Sequence, residues 1–74
     1  MDEDFIIIFA NVLGVPKNEI TLTLSPKICS SWDSLATLNL IEELENYYIR
    51  TFTLDELAQL SSVESFWKLV SIKE

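Results

Sequence analysis

Apolar positions recur at three- and four-residue intervals through most of this chain, and that spacing predicts helices. Phe5, Ile8, Phe9 and Val12 form the first such stripe and predict a helix over about 2–13. Asp2, Glu3 and Asp4 lie at its positive end, where the backbone dipole favours acids. Gly14 suits the stop, and Pro16 prevents continuation. Strand-like alternation is confined to "ITLTL" at 20–24, a short segment flanked by Pro16 and Pro26. It falls in a long connection, 15–32, of a length that is usually functional or holds short structure of its own.

A second helix should start at Ser34 with Asp33 as its N-cap. Projected at about 100° per residue, Leu38, Leu40, Ile41, Leu44, Tyr47 and Tyr48 share one broad face. Ala36, Asn39, Glu42, Glu43 and Asn46 take the other, and Leu35 breaks the pattern by lying on the polar side beside Ser34. "TLDE" at 53–56 matches a capping box, with Thr53 capping and Glu56 reaching back. "SVE" after Ser61 repeats the device with Glu64 in the return position. The last helix should bury Val63, Phe66, Trp67 and Val70, with Lys68 and Lys73 toward its negative end. The expected fold is all-α: one domain over 1–74, with three longer helices, one short helix and a long first loop.

Composition narrows the class of protein. At 74 residues the chain is near the lower limit for folding without staples, and 49% apolar residues suffice for one core. The longest apolar run, "FIIIFA", falls far short of a membrane span, and nothing resembles a signal peptide. Cys29 is the sole cysteine, so no disulfide forms within the chain and a cytoplasmic setting is expected. Twelve acids against five bases give a formal charge of −7. Such a surface repels nucleic acid and anionic membranes and favours basic protein partners.

The missing residues bound the chemistry. Without histidine, neither a Ser-His-Asp nor a Cys-His arrangement is available, and one cysteine leaves no zinc site. A single glycine, Gly14, rules out a glycine-rich phosphate loop. Glu42 and Glu43 point about 100° apart on a helix and would be solvated, a poor acid–base pair. A non-catalytic protein is expected.

Ser34 is the candidate chemical handle. Serine at a helix start is common, but this one follows a long exposed loop. The free N–H groups and partial positive charge of a helix N-terminus suit a phosphate. No base stands near to make Ser34 a nucleophile of its own. It is suited instead to carry a phosphodiester placed there by another enzyme, with Leu35 as an apolar grip.

In these motifs the chain resembles the acyl carrier proteins, or phosphopantetheine-attachment domains. The likeness runs through "LGV" at 13–15, "NEI" at 18–20, "DSL" at 33–35, "LIEELENYY" at 40–48, "TLDE" and "SSVESFWKLV", in that order and spacing. It implies a four-helix acyl-carrier-like bundle with 4′-phosphopantetheine attached to Ser34, carrying acyl groups as thioesters. It also implies modification by a phosphopantetheinyl transferase using coenzyme A. Further partners would be acyl-activating and acyl-transferring enzymes whose basic surfaces meet Leu35, Asn39, Glu42 and Glu43, the carrier itself being a monomer. Fatty-acid carriers usually place Asp-Leu-Gly before the attachment motif, where this chain has "CSSW" before Asp33. Acids common just after the serine are here Ala36 and Asn39, so charge moves along to Glu42, Glu43 and Glu45. These departures fit a dedicated carrier for a specialised biosynthetic pathway. An aminoacyl or peptidyl carrier is the near alternative, and an unmodified acidic helical adaptor the distant one.

Three other residues have candidate roles. Cys29 is expected to pack rather than bear a thioester, since only Lys27 stands near enough to lower its pKa. Trp32 either touches the cofactor arm or covers the helix end. Ile7 projects away from the first stripe, as a single exposed apolar residue or a patch for docking or self-association. Phe5, Phe9, Phe66 and Trp67 are bulky where fatty-acid carriers tend to place aliphatic side chains.

Overall fold

The computed structural model describes residues 1–71. Within them, helix α1 spans Glu3–Leu13, α2 Ser34–Tyr48, α3 Leu54–Ala58 and α4 Val63–Val70, the all-α arrangement expected. Lys73, expected near the end of α4, lies outside the described residues.

Helix α1 begins because Asp2 accepts a hydrogen bond from the Phe5 N–H at 2.8 Å. It ends at Gly14, whose φ of 69° is left-handed and whose N–H reaches the Ala10 carbonyl at 2.9 Å. Its buried stripe is rotated from the expected one. Phe5 and Phe9 are fully buried with Ala10 and Leu13, whereas Ile8 and Val12 are half-buried at the edge of the same core. Helix α1 packs chiefly on α2. The Tyr47 and Tyr48 hydroxyls fasten the end of α2 to Asp4 and Asp2 at the start of α1. The bond to Asp4 raises the Tyr47 pKa. Burial, then the bond to Asp2, raises that of Tyr48. Both phenols therefore stay protonated donors.

The facing of α2 differs from its hydrophobic projection. Ala36, Leu40 and Leu44 form the buried line, with Ile41 and Tyr48 half-buried beside it, while Leu38 and Tyr47 are exposed. Leucine or isoleucine occupies five positions between 35 and 44, spread around the helix, so apolarity alone does not fix its rotation. Packing against α1 does, and small Ala36 is buried on the resulting inner line. The helix ends at Ile49, whose φ of 55° is a strained setting for a β-branched residue. Beyond it, the Phe52 N–H donates to the Glu45 carboxylate at 2.8 Å and Phe52 is buried. Glu45, expected to extend the acidic partner face, instead holds this turn.

No strand forms among the described residues. "ITLTL" passes through turns that bury Ile20 and Leu24 and leave Leu22 exposed. Its carbonyls are used elsewhere: Leu24 accepts from the Val63 N–H at 2.9 Å and Leu22 from the Glu64 N–H at 3.1 Å. The long loop thereby caps the first turn of α4. This connection also holds a short 3₁₀ turn at Lys17–Glu19.

The capping box of α3 is present as expected, Thr53 with Glu56. That of α4 is shifted by one residue. Ser62 is the N-cap, and the Ser65 hydroxyl accepts from the Ser61 and Ser62 N–H groups at 2.9 and 3.0 Å. Glu64, expected in that return position, faces solvent 3.8 Å from Lys68. The shift follows from the loop, whose carbonyls occupy the Val63 and Glu64 amides.

Candidate functional site

Two turns set the start of α2. Trp32 closes the loop, its N–H reaching the Cys29 carbonyl at 3.0 Å. Asp33 then caps the helix, its carboxylate accepting from the Ala36 N–H at 2.9 Å and its carbonyl from the Thr37 N–H at 3.0 Å. With these two donors taken, the amides of Ser34 and Leu35 have no acceptor among the described residues. The Ser34 hydroxyl is exposed and also unpaired among them.

Three donors therefore meet solvent at the positive end of a fifteen-residue helix. With the Ser34 oxygen as the ester atom, the two remaining amide donors match phosphate oxygens, so the residues present fit a phosphodiester on Ser34. Asp33 serves its expected role as cap. Asp33→Ala should lower stability by about 0.5–2 kcal/mol, measured by urea unfolding. Unchanged stability would mean that the cap does not hold the helix start.

No protein-family model matches this chain. Comparison with curated proteins finds no match either.

The expected partner residues share one exposed surface of α2. Leu35 and Leu38 are 66% and 63% exposed at i and i+3, and so form an adjacent pair. Asn39, Glu42 and Glu43 are exposed further along. No lysine or arginine occurs between Lys27 and Arg50, so this face has no basic residue of its own. Leu38, expected on the same face as Leu40, Ile41 and Leu44, is exposed, and nothing in its spacing distinguishes it from the buried leucines.

Trp32 belongs to the core, at 4% exposure. Its indole N–H donates to the Thr37 hydroxyl at 2.9 Å. Cys29 is buried, with Sγ 3.4 Å from the Ser31 hydroxyl, in accord with packing. Ile7 is half-buried and does not stand out as an apolar patch. A groove of about 300 Å³ lies between α3 and α4, lined by Glu56, Gln59, Ser61, Ser65, Lys68 and Leu69 among others. None of the expected site residues borders it. No helix among the described residues is long and apolar enough to cross a membrane.

Proposed function

We propose that this chain is a cytoplasmic, non-catalytic carrier protein that bears 4′-phosphopantetheine on Ser34. The observation that supports this most directly is the start of α2, where Ser34 is exposed and the Ser34 and Leu35 amides have no acceptor among the described residues. A phosphodiester joined to Ser34 Oγ would accept from the Ser34 and Leu35 N–H groups and meet the positive end of the helix dipole. Asp33 keeps that end ordered. When bound, the arm supplies a terminal thiol that holds an acyl group as a thioester. Intact mass after incubation with coenzyme A and a broad-specificity phosphopantetheinyl transferase tests the reading. One added phosphopantetheine is expected, and an unchanged mass would leave an unmodified adaptor as the better account.

Partner enzymes would dock on α2 through the Leu35–Leu38 pair, guided by Glu42 and Glu43. Exposed charges act mainly on encounter and are screened over about 8–10 Å at ordinary ionic strength. Replacing Glu42 and Glu43 by lysine should slow association with a basic partner about tenfold or more at low salt. The same change should shift stability by only about 0.5 kcal/mol, as is usual at exposed sites. Stopped-flow association across a salt series measures this. A rate independent of salt would assign recognition to the leucine pair alone.

A further inference from the structure

We infer that the cargo carried on Ser34 is short or polar, and that it stays outside the helices. This rests on the carrier reading above. A long saturated acyl chain gains from a carrier only if the bundle opens an apolar space for it. In this chain that space is occupied by aromatic rings in continuous contact.

The network runs through three elements. Phe5 and Phe9 of α1 lie 4.8 Å apart between ring centroids. Phe5 meets Trp67 of α4 at 5.1 Å, and Phe9 meets Phe66 of α4 at 5.3 Å. Trp32 stands between them, 5.7 Å from Phe9 and 6.0 Å from Phe66. All five separations fall in the range of direct ring contact, about 4.5–7 Å. Phe5, Phe9 and Phe66 are essentially inaccessible to solvent, together with Leu40 and Leu44 of α2.

Trp32 is the decisive residue because of where it is tied. It precedes Ser34 by two positions, and its ring touches α1 and α4 through Phe9 and Phe66. Its indole N–H is held by Thr37 in the first turn of α2. The ring thus plugs the junction of three helices at the end of α2 that bears Ser34. A chain threading into the core there must displace it, separating two ring contacts and taking the part-buried indole N–H from its acceptor. Core interiors have no spare volume to absorb such an insertion. A polar cargo would lose its hydration inside and gain no partner, since no polar residue is buried among the described ones. Short and polar groups are the classes that forgo little by remaining in solvent beside Leu35 and Leu38.

The test loads the protein from acetyl-coenzyme A and from hexadecanoyl-coenzyme A with a broad-specificity transferase, confirmed by intact mass. Melting temperature and the Trp32 indole N–H resonance are then compared, the latter assigned with Trp32→Phe. The two loaded forms should melt within about 2 °C of each other, well under the 4–8 °C that each kcal/mol adds in a domain this small. The Trp32 indole signal should be the same in both. A hexadecanoyl form melting about 5 °C or more above the acetyl form, with the Trp32 indole and Phe66 amide signals moved, would overturn the inference and leave the carrier reading standing. Failure to gain any arm mass would overturn both.

Discussion

Ser34→Ala is expected to gain no cofactor mass while unfolding at the same denaturant concentration as the natural sequence. The two halves of this result have separate physical grounds. Modification needs a hydroxyl, and alanine removes the only one in the first turn of α2 apart from Thr37, which is occupied by Trp32. The fold does not need it, because the Ser34 side chain makes no hydrogen bond among the described residues and is exposed. Alanine is also the better helix former, so the change in stability should stay within about 0.5 kcal/mol. Ser30→Ala is the control: it removes an exposed hydroxyl from the preceding loop and should leave the mass gain intact. An alanine variant at 34 that still acquires the arm would place the attachment elsewhere. Loss of modification accompanied by unfolding would instead give Ser34 a structural role that its exposure does not support.

Local signals in the sequence were decisive wherever a short motif fixes the backbone by itself. Asp33 as a cap, Gly14 in the left-handed stop and the Thr53–Glu56 box all take the conformations their chemistry demands, while Asp2, expected as the first helical residue, is the cap of α1. The start of α2, and with it the position of Ser34, was therefore legible. What was not legible depends on contacts between distant segments. Ala36 contributes little hydrophobic weight to a projection, yet it is buried, and Leu38 contributes much, yet it is exposed. The α4 box lies at Ser62–Ser65 rather than Ser61–Glu64 because carbonyls far back in the chain, at Leu22 and Leu24, already hold the first amides. Glu45 looked like surface charge because its partner, the Phe52 N–H, lies across a turn that no periodicity describes. The role of Trp32 is set by its neighbours Phe9 on α1 and Phe66 on α4, which no local pattern around residue 32 specifies.

The largest effect on stability should come from Phe9→Ala. Phe9 is inaccessible to solvent and is the one ring in contact with three others, Phe5, Trp32 and Phe66. Truncating a fully buried phenylalanine costs about 3–5 kcal/mol, part from lost transfer energy and part from the cavity left behind. The cavity term should be near its upper end here, because neighbouring rings are stiff and collapse poorly into the vacated space. Native domains hold roughly 0.05–0.15 kcal/mol per residue, so 74 residues supply roughly 4–11 kcal/mol in all. Removing one ring therefore takes a large share of the total and should leave the variant partly unfolded at 37 °C. Ile7→Ala, on the neighbouring half-buried side of α1, should cost about 1 kcal/mol. Urea unfolding followed by tryptophan fluorescence measures both, since Trp32 reports directly on the face that Phe9 covers. A loss under about 1 kcal/mol for Phe9→Ala would mean that the ring network is loosely packed. That result would also remove the physical ground for keeping long cargo out.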